Sequence, residues 1–204
     1  MTWMDSSWQR AWKNLALPAP AGLGERLIRA YSEPHRRYHS LQHLGECIAQ
    51  LEGALDLAVH AGDVEIALWF HDAIYGLQAK DNEQRSADWA AGELTRSGAG
   101  EAQVRRVRAL IMATCHTAKP ADADQQLLVD IDLAILGAAP ARFAEYDAQV
   151  RAEYSWVPEA LYRTKRREVL KGFLDRAVIY NTPLFRARLE QQARTNLRTA
   201  IARV

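Results

Sequence analysis

The chain has 204 residues, nearly half of them apolar and a quarter charged, a length and composition that let one domain bury a core without disulfides or a structural metal. A formal charge of +1 gives no global field to draw nucleic acid or an anionic membrane surface, so neither is expected as a partner. The opening MTWMDSSWQRAW lacks the basic-then-apolar order of a signal peptide, and no apolar run is long enough to span a bilayer; the expected setting is cytoplasmic.

Trp8, Trp12 and Leu15 recur at helical spacing before the Pro18-Ala19-Pro20 break. A second helix is expected over 23–31, stopping before Pro34. Leu44, Ile48, Leu51 and Leu55 form one apolar stripe of a third. Asp63 suits the N-cap of a helix through VEIALWFHDAIY, which is apolar on nearly every side and therefore expected at the centre, ending at Gly76. Asp81 or Asn82 can cap the next helix, where Glu83 in the first turn complements the helix dipole. Val104, Val107, Leu110 and Ile111 make another stripe, and LLVDIDLAILG a further helix, closed by Gly137. Helices are expected over about 140–154, 158–180 and from 183 to the C-terminus, each opened by a proline. No segment has the strand period, and there is no linker, repeat or low-complexity stretch. The expected fold is all-α, a single compact domain over 1–204.

Chemistry concentrates in a few polar residues that interrupt apolar helices. His71-Asp72 falls within the most apolar segment, where a buried carboxylate beside an imidazole is costly unless both are paired or hold a cation. A lone pair of this kind is usually a core hydrogen bond. Upstream, however, Tyr38-His39-Ser40-Leu41-Gln42-His43 sets two histidines at i and i+4, expected on one side of a helix. Downstream, Asp130-Ile131-Asp132 interrupts another apolar run. With Leu128, Ile131 and Ile135 marking the inward direction at about 100° per residue, Asp132 falls roughly 65° from it and Asp130 nearly opposite, toward solvent. Asp132 is the better ligand on that phase. Cys47 and Cys115 have no CxxC spacing and are read as a buried pair or two separate thiols.

The order His…His-Asp…Asp over successive helices resembles the HD superfamily of metal-dependent phosphohydrolases. The Tyr38-His39 to His43 segment also resembles the YHNxxH motif of class I cyclic-nucleotide phosphodiesterases. More specifically, RRYHSLQHL, ALWFHDAIY, DNEQRSA, IMATCHT, LLVDIDLAILGA and the VRAEY…RREVL…NTPLF…ARTNL tail resemble one bacterial family described as predicted metal-dependent HD phosphohydrolases, from about Trp3 to Leu197. The resemblance implies an HD-domain helical bundle with additional C-terminal helices. It implies a metal held by His43, His71, Asp72 and Asp132, with His39 as general acid to the leaving oxygen. Two departures stand out. The aromatic-and-glutamine nucleotide clamp of the phosphodiesterases has no counterpart, and Tyr75 replaces the glutamate that HD nucleotidases often carry three residues after the aspartate.

Imidazoles and carboxylates together do not select one divalent ion, so Mn, Fe, Co, Ni, Zn and Mg all fit the expected donor set, as one ion or two. A second ion would be bridged by Asp72 and take His116, which reads equally as a cation at a helix C-terminus. Glu83 is a candidate base or second-metal ligand against a plain first-turn role. For phosphate, Arg37, Arg151 and Arg166 are the candidates, Lys165 and Arg194 being further cations. Tyr38, Trp69 and Tyr154 are candidates to stack on a base, against plain core packing. The expected reaction is hydrolysis of a phosphomonoester or phosphodiester, a nucleotide-like metabolite, by a metal-activated water. Alternatives are an HD-fold di-iron oxygenase, for which extra histidine ligands are short, and a non-catalytic metal- or nucleotide-binding module.

Overall fold

The computed structural model describes residues 2–204, and among them it has ten α-helices and no strand, the all-α fold expected. None of these helices is long and apolar enough to cross a membrane. The chain divides into two compact units whose boundary, after Val129, falls inside the seventh helix.

The first unit runs through α1 (Trp3–Leu15), α2 (Leu23–Tyr31), α3 (Leu41–Glu52), a 3₁₀ turn (Leu55–Leu57), α4 (Ala61–Phe70), α5 (Asn82–Arg96) and α6 (Glu101–Ala113), and into α7 (Ala123–Asp132). α4 is its hub. It packs against α1, α3, α5 and α6, and every residue from Gly62 to Phe70 is buried, as a segment apolar on all sides requires. A Cβ at Gly62 would lie 2.7 Å from the backbone nitrogen of Leu15, so glycine here lets the end of α1 abut α4.

Two carboxylates inside α4 have partners. Glu65, fully buried, accepts hydrogen bonds from Ser7 Oγ (2.6 Å) and from Arg10 Nε and Nη2 (3.0 and 2.6 Å), while Trp69 Nε1 donates to Ser7 Oγ (2.9 Å). Asp63 is not the N-cap: the helix begins two residues earlier behind His60, and the Asp63 carboxylate takes Arg106 Nε (2.6 Å) and Gln103 Nε2 (3.2 Å) instead.

α4 also ends earlier than the apolar pattern suggests, at Phe70. The next helical bond would run from the Asp72 N–H to the Leu68 carbonyl. Instead the Asp72 N–H donates to Tyr31 Oη (3.2 Å), and the Leu68 carbonyl takes the His71 ring nitrogen Nδ1 (2.7 Å). Further on, the Ile74 N–H donates to Ser86 Oγ (3.0 Å), and the Arg36 guanidinium takes the carbonyls of Asp72 and Ala73. Side chains remote in sequence satisfy the backbone and release His71-Asp72 into a turn.

The second unit finishes α7, tightens into a 3₁₀ segment (Leu133–Gly137), and continues through α8 (Pro140–Glu153), α9 (Glu159–Leu174) and α10 (Pro183–Ile201). α10 packs on the 3₁₀ segment and on α9. Gly137 does not take the left-handed conformation expected of a helix-ending glycine. Its role is close approach, since an added Cβ would meet Leu189 Cβ at 2.6 Å. Asp130, expected to face solvent, is fully buried. Its carboxylate accepts from the Asn181 N–H and Nδ2 and from the Thr182 N–H and Oγ1, at 2.7–3.0 Å, and so anchors the start of α10. Helical phase separates the directions of the two aspartates, but does not show that the start of α10 covers Asp130.

Candidate metal centre

His43 and Cys47 lie one turn apart on α3 and are both buried. His71 is the C-cap of α4, with Asp72 the next residue in the turn. A carbonyl only accepts, so the 2.7 Å contact between His71 Nδ1 and the Leu68 oxygen puts a ring proton on Nδ1 and leaves Nε2 as the nitrogen that can ligate. That Nε2 lies 3.1 Å from His43 Nε2 and 3.1 Å from Asp72 Oδ2, and His43 Nε2 lies 3.6 Å from the same oxygen. The Cys47 sulfur stands 3.7 Å from His43 Nε2. Within the first unit, one ligand atom of each of His43, Cys47 and His71 lies within 4.8 Å of the others; Asp132, the last residue of α7, is half-buried and belongs to the second unit.

These separations suit a shared cation. Metal–nitrogen bonds of about 2.0–2.1 Å place two ligand atoms about 2.9 Å apart at a right angle and about 3.4 Å apart at the tetrahedral angle. Of the three separations among His43, His71 and Asp72, two fall inside that range at 3.1 Å and the third, 3.6 Å, lies just above it. The donor chemistry agrees: a buried imidazole with its remote nitrogen tied to a carbonyl is the usual arrangement of a histidine ligand. Burial pushes the Asp72 carboxyl up, but the imidazoles of His71, His39 and His43 outweigh it and hold the group well below the usual carboxylate range. Asp72 is thus an anion facing imidazoles in a nearly closed site.

Around this centre the segment preceding α3 is clamped in place. His39 is not on α3 but in the turn before its N-cap Ser40, a correction to the expectation of two histidines on one helix. Its ring nevertheless lies 6.2 Å from that of His43 and stacks on Tyr75 at 4.1 Å and 25°. Tyr38 packs over His43 at 4.6 Å. Buried Arg36 ties the turn to the His71-Asp72 segment, donating to the His39 carbonyl (3.0 Å), the Asp72 carbonyl (2.6 Å) and the Ala73 carbonyl (3.0 Å). His35 Nε2 donates to the Tyr75 carbonyl (2.8 Å) from the same segment.

The remaining expected residues lie elsewhere. Among the described residues neither Glu83 nor His116 belongs to the group of mutually close donors; Asp72 is not a member either, its carboxylate approaching His71 and His43. Glu83 sits in the first turn of α5, close enough to Cys115 that its charge adds to burial in pushing that thiol up. His116 follows α6 with a left-handed backbone, φ 54°. Arg37 is exposed beside His39. In the second unit, Arg151 donates to Glu159 and to the Tyr154 carbonyl, and Arg166 is buried on Asp147 over the Tyr146 ring. Both guanidiniums are committed to carboxylates of their own unit. Trp69 is core, at the α1 interface.

Sequence reading passed over two residues at the centre. For Cys47 a signal existed, since it stands four residues after His43 and therefore on the same helical face. For Arg36 none did: nothing local separates a buried clamp from its exposed neighbour Arg37. Compared with family models, with curated proteins and with solved structures, the chain matches none. The HD resemblance therefore rests on the motif residues themselves.

Proposed function

We propose that this chain is a metal-dependent phosphohydrolase of the HD type, holding a divalent ion with His43, His71, Asp72 and Asp132. The observation that carries the reading is the convergence of His43 Nε2 from α3 with His71 Nε2 and Asp72 Oδ2 from the turn that ends α4, to within 3.1–3.6 Å. An ion bound there would lower the pKa of a coordinated water and neutralise charge on a phosphoryl group.

The protein's own residues divide the remaining work. Asp72 and Asp132 supply negative charge against a cation, and the tautomer of His71 is fixed by the Leu68 carbonyl. His39, half-buried, stacked on Tyr75 and outside the donor group, would give a proton to the leaving oxygen. Arg36 donates to the backbone carbonyls of both His39 and Asp72 and so ties their two segments together. Arg37 is the exposed cation nearest in sequence to this machinery and is assigned to the substrate phosphate. The substrate class is a phosphomonoester or phosphodiester of a nucleotide-like metabolite.

The test is a phosphatase and phosphodiesterase panel on protein purified without chelators and loaded in turn with Mn²⁺, Co²⁺, Zn²⁺ and Mg²⁺. Hydrolysis that is lost in Asp72→Ala and restored by no added metal supports the reading. Stoichiometric metal with no hydrolysis of any phosphoester would make the chain a metal-binding module. Iron-dependent oxygen uptake would replace the hydrolase with an oxygenase.

A further inference from the structure

Resting on the metal-centre reading above, we infer that Cys47 is itself a ligand, so that the site prefers thiophilic ions such as Zn²⁺, Co²⁺ and Fe²⁺ over Mg²⁺ and Mn²⁺. Cys47 is buried on α3 one turn from His43, with Sγ 3.7 Å from His43 Nε2. A sulfur bound at about 2.3 Å and a nitrogen at about 2.05 Å lie about 3.6 Å apart when they share a tetrahedral ion. The sulfur stands 3.7 Å from His43 Nε2 and 3.8 Å from Nδ1, over the ring, so a turn of the Cys47 side chain brings it to that edge, and it already belongs with His43 and His71 to a group of mutually close donors. Cys47 takes part in no disulfide. As the Sγ–metal bond forms, the thiol proton leaves to solvent, and no redox step is involved. Nitrogen and carboxylate donors alone leave the choice of ion open, whereas a thiolate among them selects soft ions. Cys115, beside Glu83 and outside the group, has no such role.

Cobalt substitution separates this inference from the reading beneath it. Metal-free protein is titrated with Co²⁺ and followed by absorption, in the wild type and in Cys47→Ser and Cys115→Ser, with circular dichroism confirming that each variant is folded. Ligand-field bands from an imidazole–carboxylate site and a near-ultraviolet sulfur-to-cobalt charge-transfer band are both expected in the wild type and in Cys115→Ser. In Cys47→Ser the charge-transfer band should vanish while the ligand-field bands persist, and the preference for Zn²⁺ over Mn²⁺ should fall by roughly tenfold or more. Ligand-field bands without charge transfer in the wild type would overturn the role of Cys47 and leave the metal centre standing. A charge-transfer band that survives in Cys47→Ser would do the same. No Co²⁺ binding at all would remove the metal centre and this inference with it. The wild-type spectrum decides the point even where the serine variant fails to fold.

Discussion

His43 is buried against His71, whereas His39 is half-buried in the turn before α3 and stacked on Tyr75. Replacing His43 by Ala removes a donor, and the variant should lose bound metal on elemental analysis. His39→Ala should keep its metal and lose roughly 10²–10⁴-fold in turnover, the usual share of a general acid. That loss should shrink on p-nitrophenyl phosphate, whose leaving group hardly needs a proton, and stay large on a substrate leaving as a sugar alkoxide. An equal loss on both, with metal intact, would make His39 a positioning residue. The two aspartates of α7 should separate as cleanly. Asp130→Ala leaves the buried N–H groups of Asn181 and Thr182 without their acceptor and should cost about 2–4 kcal/mol in denaturant unfolding at unchanged metal content. Asp132→Asn should do the reverse, shedding metal with little effect on the stability of the metal-free protein. At this scale the sequence singles out His71, Asp72 and Asp132 as candidates because they interrupt apolar segments, and His43 by its spacing from His39. It misses the burial of Asp130, because the donors that satisfy it lie some fifty residues away, at 181–182.

α1 is docked on α4 by an ion pair whose two ends differ in exposure: Glu65 is fully buried and Arg10 is about a quarter exposed. Burial pushes the Glu65 carboxyl up, Arg10 and Ser7 pull it down, and the nearby charge of Glu52 adds a further small push upward. Its folded pKa lies above the unfolded value, so the cost of burying it is absent in acid and grows as pH rises past the unfolded glutamate range. Arg10→Ala removes the main downward pull and widens that window. The variant should be destabilised by about 3–5 kcal/mol at neutral pH and by visibly less in mild acid, measured by urea unfolding at the two pH values. A loss independent of pH would assign the effect to packing of the arginine stem. Arg36→Met should loosen the turn carrying His39 from Asp72-Ala73, lowering stability by about 2–4 kcal/mol and weakening metal binding without removing a ligand. Helix ends set by local chemistry were legible: proline opens α8 and α10, and α2 runs over the residues its spacing predicts. The end of α4 was not, because Tyr31, Arg36 and Ser86 satisfy its last backbone groups from other elements.

Over the whole chain, periodicity and the absence of any strand pattern were enough for the all-α fold, and the all-round apolar segment was enough to place α4 at the hub of its unit. Division into two compact units inside a continuous helix left no trace in composition, since no linker or glycine-rich break marks it. The central claim is that His43, His71, Asp72 and Asp132 hold a divalent ion. Elemental analysis of wild-type protein and His71→Ala, both purified without chelators and dialysed against Zn²⁺-buffered solution, tests it most directly. The wild type should retain at least one divalent ion per chain and lose thermal stability when stripped, because an ion that binds only the folded state stabilises it by mass action. His71→Ala should retain almost none, melt no higher than the stripped wild type and gain nothing from added Zn²⁺. Full occupancy in His71→Ala, or a wild type that holds no ion and melts identically with and without Zn²⁺, would contradict the claim.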